Sequence, residues 1–417
     1  MTAYAADDRA TEVAEPTPTA ASTGALSGVR VLEMGQLLAG PYCAQLMADH
    51  GADVVKIEDP HRGDVMRQWG KKVDDRSLWW PIVARNKRSV TCDLRTLEGR
   101  EIARALAAEA DIVVENFRPG TLERWGLDHA TLAAEHPGLI MVRISGYGQT
   151  GPYAHRAGYA SIGEAMGGLR HLVGEPDGPP ARCGISLGDT LTAMFGALGA
   201  LAALEHRRRT GHGQVVDASI YESVLAVTES LVPEWVLAGH ERTRTGATLP
   251  GVAPSNVYPT GDGGSVLVAA NMDTVFRRLC TAMGRPELAD DERFATHAAR
   301  GAHADELDAI VAAWTSTHPA DAVLAHLEEH GVPAGPIYRA REMLADPHFR
   351  ARESILSMAD PRFGEFPMQG VFPRLSGSPG EVRWLGPELG AHTDEVLTER
   401  LGYTPETVRE LRAADVI

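Results

Sequence analysis

The sequence predicts an α/β protein built around a sheet of parallel strands. Three observations lead to this prediction. Strand-like and helical segments alternate along the first third of the chain, 417 residues can bury a sizeable core, and the composition is ordinary for soluble proteins. Apolar residues make up 44% and charged residues 23%, which excludes a disordered, fibrous or coiled-coil protein.

The N-terminal elements follow a strand-helix-strand order. Residues 28–34 (GVRVLEM) form a β-type run, and the next segment predicts a helix with Pro41 in its first turn and Gly51 just past its end. Residues 52–59 (ADVVKIED) predict a second strand. The order recurs with a helix at 97–109 and strands at 111–115 and 139–144, so the segment predicts βαβ units and a parallel sheet.

The second half of the chain changes character. Two long helical stretches are expected at about 190–209 and 217–238, followed by a Gly/Pro/Thr-rich connection over 243–264. A strand after this connection and three helical patterns up to residue 329 predict a small α+β domain. A break at 332–338 precedes short strands near 363–370 and a polar helix near 393–401.

Charge narrows the range of partners. Forty Lys and Arg against 56 Asp and Glu give a formal net charge of −16, the wrong sign for binding nucleic acid or an anionic membrane surface. We expect no nucleic acid and no membrane among the partners. An anionic small molecule would need a local cluster of cations set against this background.

Cysteine usage and the N-terminus indicate a cytoplasmic protein. The four cysteines are widely spaced and form no CxxC pair, so we expect them to be reduced, buried and without a metal. We expect no apolar run to approach the ~20 residues that span a bilayer. Residues 1–25 carry acids, Thr and Pro where a secretory signal would be basic and apolar, and they predict a disordered tail.

Two short motifs suggest other functions. The order strand, turn, helix, strand and Glu58 is that of a dinucleotide-binding unit, but Gly35 and Gly40 do not supply the GxGxxG spacing that a pyrophosphate requires. Residues 184–188 (GISLG) match the GxSxG of serine hydrolases with Ser186 as nucleophile. A Pro/Gly-rich segment precedes that motif instead of a buried strand, so the hydrolase remains a remote alternative.

Asp189 stands just before the long apolar helical stretch. An Asp at this place is a favoured N-cap, which is the simplest interpretation of the residue. The free N–H groups of a helix N-terminus also favour the ionised carboxylate, and a fixed carboxylate can attack an activated acyl group. Capping and nucleophilic attack do not exclude one another.

Six long blocks occur in a fixed order that resembles the class III CoA-transferases, the CaiB/BaiF family. The resemblance covers nearly the whole chain outside the tail and is far more specific than either short motif. The blocks are LSGVRVLEMGQLLAGPYCAQLMADHGADVVKIEDPHRGD, RNKRSVTCDL, VVENFRPGTLERWGL, ISGYGQTGP, GISLGDTLTAMFGALGALAALEHRRRTGHGQVVDASIYES and GVPAGPIY.

The resemblance implies a two-domain architecture. Residues 26–225 would form the N-terminal part of a large Rossmann-like domain, 226–335 a linker and a small α+β domain, and 336–417 a return segment that completes the large domain. It also implies an interlocked homodimer in which the two subunits are threaded through each other.

The resemblance implies that Asp189, in the block LGD, is the catalytic nucleophile. Its carboxylate would attack an acyl-CoA thioester, and an aspartyl anhydride and then an aspartyl-CoA thioester would follow. Coenzyme A enters as part of the acyl-CoA substrate, and no metal is implied. By motif position the resemblance implies contacts between six residues and the acyl-CoA. Three cations would hold the nucleotide end, Lys87, Arg88 and Arg124. Asn116 and Phe117 would lie beside the thioester and pantetheine, and Tyr159 would line the acyl site.

Two features bear on the choice within the family. The racemase branch acting on 2-methylacyl-CoA has a histidine where this chain has Tyr159, and Tyr is a poor general base near neutral pH, so racemization is the alternative we rank second. The family's closing loop aligns with LPGVAPSN (249–256), whose only glycine is Gly251. This departure argues against a formyl-CoA:oxalate specificity.

The segments around 243–264 and 271–288 resemble most closely the branch that moves CoA from succinyl-CoA to small dicarboxylates. A second carboxylate would need a cation in the acyl pocket. The sequence does not rank the candidates, which are Arg67, Arg182, Arg242 and Arg244.

Overall fold

The structure is a computed structural model that describes residues 24–417. The tail predicted for residues 1–25 lies almost wholly outside the described residues. The strands in the described part are β1 Arg30–Glu33, β2 Asp53–Glu58, β3 Lys72–Val73, β4 Arg76–Ser77, β5 Lys87–Thr91, β6 Ile112–Glu115, β7 Ile140–Ser145, β8 Val215–Ser219, β9 Ser255–Pro259, β10 Ser265–Ala269, β11 Ala334–Pro336, β12 Ile355–Asp360 and β13 Gly364–Gln369.

The helices cover the faces and ends of these strands. They are α1 Ala39–Asp49, α2 Trp80–Val83, α3 Leu97–Glu109, α4 Thr121–Trp125, α5 His129–Ala133, α6 Ala160–Met166, α7 Leu169–Leu172, α8 Leu187–Thr210, α9 Ile220–Leu225, α10 Leu231–Ala238, α11 Asp273–Ala282, α12 His297–Ala302, α13 Ala304–Thr315, α14 Ala320–Glu329, α15 Ala340–Ala345, α16 Pro347–Ala351, α17 Thr393–Glu395 and α18 Pro405–Ala413. Short 3₁₀ turns lie at Val65–Arg67 and Pro286–Ala289, and a π turn lies at Val396–Arg400.

The central sheet confirms the predicted parallel α/β core. Its strand order is β5-β2-β1-β6-β7-β8, and every neighbouring pair is parallel. The chain builds outward from β1 through β2 to β5, then crosses to β6 and builds through β7 to β8. The order therefore reverses between β1 and β6, and ligands of open α/β sheets bind at such a switch point, at the carboxyl ends of the strands.

Two apolar clusters cover the faces of this sheet. One packs α1 and the Ala-rich face of α8 against the strands. The other joins α3 to residues at the far end of the chain, among them Val396, Val408 and Ile417. The C-terminal segment thus contributes to the same core as the N-terminal strands.

A separate apolar cluster lies within residues 253–332. The antiparallel strands β9, β10 and β11 form a three-stranded sheet, and α11, α13 and α14 pack on it through Phe276, Leu307 and Leu327. This arrangement has the mixed α and β content predicted for this part of the chain.

Two sequence predictions are corrected here. The stretch 217–238 is not one helix: Val215–Ser219 pairs in parallel with β7, and two short helices follow it. The β-branched pair Val215 and Val216 extends the sheet, and tertiary pairing outweighs the helical pattern. Cys183 is exposed, whereas the other three cysteines are buried as expected.

Helix α8 corrects the expectation about apolar runs. Within residues 24–417, α8 is the one helix that is long and apolar enough to cross a membrane. One face, including Ala193 and Ala200, is buried against the sheet and α1. Its other face exposes Met194, Leu198 and Leu201.

Candidate active site

A cavity of about 700 Å³ opens at the carboxyl edge of the central sheet. The segments after β1, β6 and β7 form its floor, and the starts of α6 and α8 form a wall. The residues lining it include Gln36, Leu37, Leu38, Asn116, Phe117, Arg118, Ser145, Arg156, Tyr159, Arg182, Ser186 and Asp189. It lies at the point where the strand order reverses.

The loop between β1 and α1 is held under the cavity by specific contacts. Leu37 has a φ of 65°, a left-handed conformation that a leucine rarely adopts, and its N–H donates to Asp64 Oδ1 at 3.0 Å. Gln36 and Asn116 exchange two hydrogen bonds of 2.8 Å each. A Cβ added at Gly40 would lie 3.2 Å from Asn116 Cγ, so glycine allows the helix to approach this side chain.

Asp189 is the third residue of α8, which begins at Leu187, about three residues earlier than the sequence pattern predicts. Ser186 occupies the N-cap position, and within the described residues the Asp189 carboxylate receives no capping hydrogen bond. The N-cap prediction for Asp189 is therefore wrong. The carboxylate faces the cavity free of intrahelical partners.

The surroundings of Asp189 oppose its ionisation. Burial and the negative charge of Glu164 raise its pKa to about 6, and Arg182 acts in the opposite direction. From the sequence alone, the helix N-terminus is expected to favour the ionised form of Asp189. Desolvation and a like charge outweigh that effect in this site.

Glu164 is a site residue that the sequence reasoning missed. It is almost fully buried on α6, accepts a hydrogen bond of 3.1 Å from Gly188 N at the start of α8, and pairs with Arg170 at 2.8 Å. The contact joins residues 24 apart. No local spacing could indicate it, because α6 and α8 meet only in the folded chain.

Three of the predicted CoA contacts line the cavity with Asp189. They are Asn116, Phe117 and Tyr159. Phe117 packs edge-on against Trp125 with ring centroids 5.2 Å apart, which fixes its orientation. The side chain of Tyr159 is 69% exposed at the start of α6.

Lys87 does not lie at the cavity. Its side chain is 1% exposed, and its ammonium binds Glu33 at 2.7 Å and the carbonyl oxygen of Pro41 at 2.6 Å. A buried ammonium that is already paired cannot reach a phosphate in this arrangement. We therefore assign Lys87 to the core and not to the nucleotide.

Arg88 and Arg124 also lie outside the cavity lining. Arg88 is paired with Asp53 and with Glu395, the latter at 3.2 Å. Arg124 donates to Thr121 Oγ1 at 3.0 Å, and no ion pair within residues 24–417 occupies it. Of the three predicted nucleotide cations, Arg124 is the one left available.

The GxSxG and dinucleotide-binding motifs lack the surroundings that their chemistry requires. Ser186 precedes a helix without a strand before it, and its Oγ accepts a hydrogen bond of 3.4 Å from Arg182 instead of facing a general base. Glu58 binds Arg67 at 2.8 Å and is buried, so it is not available to a ribose. In the described chain, no group of three or more His, Cys, Asp or Glu residues is placed to hold a metal ion.

The geometry separates the four arginines proposed for a second carboxylate. Arg67 is paired with Glu58 and stacks on Trp80, and Arg242 is paired with Glu229 and Glu234. Arg244 donates to the carbonyl oxygen of His171 at 3.3 Å and does not line the cavity. Arg182 alone of the four lies in the cavity wall.

Comparison with known proteins decides the family. The model of CoA-transferase family III matches residues 26–393. The chain belongs to CoA-transferase family III. It is an enzyme of that class, and CoA-transferases use CoA thioesters as substrates.

Relatives and a solved structure agree with this assignment. The chain is 58% identical over 393 residues to the "Succinyl-CoA--D-citramalate CoA-transferase" of Chloroflexus aurantiacus, covering 94% of this chain and 98% of that protein. It is 43% identical over 395 residues to the "Succinyl-CoA--L-malate CoA-transferase alpha subunit" of the same genus and species, covering 94% and 92%. A CaiB/BaiF family protein from Brucella suis superposes with a TM-score of 0.79 at 38% identity, covering 90% of this chain and 99% of that one.

Proposed function

We propose that this family III enzyme transfers CoA from succinyl-CoA to a small dicarboxylate. The observation that carries the proposal is the unpaired carboxylate of Asp189 in the wall of a cavity large enough for an acyl-CoA end. The named activities of the two Chloroflexus relatives support succinyl-CoA as donor and a four- or five-carbon diacid as acceptor.

The first half of the reaction loads the enzyme. A carboxylate oxygen of Asp189 attacks the thioester carbonyl, the C–S bond breaks, and CoA leaves as thiolate, which gives a mixed anhydride. The thiolate then attacks the aspartyl carbonyl and expels succinate, which leaves an aspartyl-CoA thioester. The acceptor carboxylate repeats the two steps in reverse order, and Asp189 is regenerated as its carboxylate.

The cavity supports these steps through its shape and its charges. Asn116 and Phe117 are proposed to lie along the thioester and pantetheine, and Tyr159 along the acyl group. Arg124 is proposed for the nucleotide end. The anhydride must be shielded from water. Residues 249–256 do not line the cavity of this chain.

We also propose an interlocked homodimer and a cytoplasmic location. The apolar faces left open on α8 and α10 support an assembly of two chains, because exposed contiguous apolar surface marks interaction sites. The domain limits 26–225, 226–335 and 336–417 form part of the same proposal. The shared core of N- and C-terminal residues supports them.

The test of the mechanism is to trap the intermediate. After incubation with succinyl-CoA, hydroxylamine or borohydride should modify the peptide that contains Asp189, as detected by mass spectrometry. Asp189→Asn should reduce transfer by about a thousandfold or more, since it removes the nucleophile. Ser186→Ala is the matched control on the same helical turn and should keep most of the activity.

Other outcomes would contradict the proposal. Full transfer activity in Asp189→Asn would exclude the aspartyl mechanism. Labelling of Ser186 by a fluorophosphonate together with loss of activity in Ser186→Ala would favour a hydrolase. A panel of acceptors with succinyl-CoA as donor tests the substrate class, and better rates with every monocarboxylate than with any dicarboxylate would exclude the dicarboxylate assignment.

A further inference from the structure

We propose that Arg182 binds the distal carboxylate of the dicarboxylate in both halves of the reaction, first that of the succinyl group and then that of the acceptor. The inference rests on the proposed function, which supplies the dicarboxylate. It adds the residue that distinguishes a diacid from a monoacid and the claim that a single cation serves both substrates.

Arg182 lies near Asp189 at the start of α8. The guanidinium donates to Ser186 Oγ at 3.4 Å, and Ser186 is three residues before Asp189 at the start of α8. Residues three apart on a helix lie on the same face, with Cβ atoms about 5–6 Å apart. The guanidinium therefore lies beside the nucleophile, on the wall where the acyl group must sit.

The Arg182 guanidinium is available to bind a carboxylate. Its side chain is exposed to the cavity, and within residues 24–417 it forms no ion pair with a carboxylate. The hydrogen bond to a neutral hydroxyl leaves the remaining donors of the guanidinium free. A guanidinium with free donors on one edge matches the two oxygens of a carboxylate.

Two other arginines line the cavity and need comparison. The guanidinium carbon Cζ of Arg156 lies over the ring of Tyr153, 3.6 Å from its centroid, and Arg118 follows Phe117 beyond the end of β6. Of the three, Arg182 is the one whose charge lowers the pKa of Asp189. Arg182 is thus the arginine of the cavity lining whose charge acts on the reacting carboxylate.

The chemistry explains why one cation can serve two substrates. Succinate leaves before the acceptor attacks, so donor acyl group and acceptor occupy the same part of the cavity in turn. Each carries one carboxyl group at the reacting carbon and a second one at the far end of a short chain. A fixed cation beside Asp189 therefore meets the same group in each half-reaction.

The test measures the two half-reactions separately in the full-length protein. Loading is followed by release of the free acid from succinyl-CoA or from butyryl-CoA, and unloading by transfer from the loaded enzyme to a diacid or to a monoacid of equal length. In Arg182→Gln we expect a loss of about 30-fold or more in kcat/KM for succinyl-CoA and for the diacid, as for other truncated charge pairs. The loss for butyryl-CoA and the monoacid should be much smaller.

A matched variant separates this role from a general effect of charge. Arg156→Gln removes an equal charge from the same cavity, and we expect the ratio of diacid to monoacid rates to stay within about threefold of the wild-type ratio. Arg182→Lys should keep part of the diacid preference, since lysine keeps the positive charge but lacks the planar set of N–H donors that matches a carboxylate.

The outcomes distinguish the inference from the proposed function. An unchanged diacid preference in Arg182→Gln would overturn the inference and leave the transferase intact. An equal fall for diacids and monoacids would also overturn it, because Arg182 would then act only through the ionisation of Asp189. Wild-type protein that forms no adduct with any acyl-CoA would refute the proposed function and the inference with it.

Discussion

At the scale of single residues, Asp189 has a pKa of about 6 because burial and Glu164 oppose its charge. The nucleophile is the ionised form, so activity is present above this pH and falls as the pH drops through it. Such a perturbed carboxyl group in a cleft is typical of a catalytic site, where it serves as a reactive group.

Replacing Glu164 should move this pH limit. Glu164→Gln removes a like charge while it keeps an oxygen that can accept the hydrogen bond from Gly188 N. We expect the acidic limb of the kcat/KM profile to shift to lower pH, as measured in steady-state assays of both proteins. The ionisation of the substrate is common to both profiles and cancels in the comparison.

Asp177→Asn is the control for this experiment. Asp177 is an exposed carboxylate in the loop that precedes α8, and its removal changes the net charge by the same amount. The acidic limb of the kcat/KM profile should lie at the same pH in this variant as in the wild type. An unchanged limb in Glu164→Gln would show that Glu164 does not influence the nucleophile.

The sequence predicted Asp189, Asn116, Phe117 and Tyr159 as site residues by their motif positions, and in the structure all four line the cavity. It placed Lys87 at the nucleotide for the same reason, although the side chain turns into the core. A motif fixes the position of a residue along the chain, whereas the direction of its side chain depends on neighbours such as Glu33, which lie far away in sequence.

At the scale of elements, buried charges hold the loop between β1 and α1. Lys87 binds Pro41 O at the start of α1, Lys56 binds Gly35 O at 2.7 Å, and both lysines pair with Glu33. Both ends of the loop that forms the cavity floor are thus tied to ammonium groups. Neither Lys56 nor Lys87 lines the cavity itself.

Lys87→Met should therefore destabilise the fold. Removing the Lys87 ammonium leaves the buried negative charge of Glu33 less neutralised. We expect a loss of about 3 kcal/mol in the free energy of unfolding, measured by urea titration. The affinity of the folded protein for CoA should change less than about threefold by calorimetry. Lys71→Met, at an exposed position, should leave both quantities unchanged.

The opposite pattern would restore the role suggested by the sequence. A large loss of CoA affinity with an unchanged free energy of unfolding would place Lys87 at the nucleotide. The exposed control makes this outcome distinct from a general effect of charge on binding.

Local sequence patterns predicted a helix or strand well where the apolar pattern of that segment alone determines its structure. Four strands of the central sheet and helix α3 lie within a few residues of their expected positions, because apolar runs and caps such as Thr96 are local signals; these strands are β1, β2, β6 and β7. The strand β8 was missed because it forms only by pairing with β7. The start of α8 was misplaced because Glu164, from another helix, supplies the acceptor for Gly188 N.

At the scale of the whole molecule, apolar side chains remain open on two helices. Leu198 on α8 is 61% exposed and Leu237 on α10 is 83% exposed, with other large apolar side chains beside them. A monomer rarely leaves such a surface in water. The surface fits the proposed homodimer.

Size-exclusion chromatography with light scattering tests the assembly. We expect the mass of two 44.7 kDa chains for the wild type and a shift toward one chain for Leu198→Arg, which places a charge in the apolar surface. Leu97→Arg, at an equally exposed leucine on α3, should remain a dimer. A wild-type monomer, or a Leu198→Arg dimer of unchanged affinity, would contradict this interface.

The contacts at the outer edge of β5 determine when this edge of the sheet can be covered during synthesis. Ser89 N donates to His392 Nδ1 and Thr91 N to Thr393 Oγ1, so residues from the end of the chain cover the edge of a sheet that begins at residue 30. An uncovered edge strand can pair with other chains. On the ribosome this edge stays open until His392 and Thr393 have left the exit tunnel, so the edge is covered long after β5 itself has been synthesised.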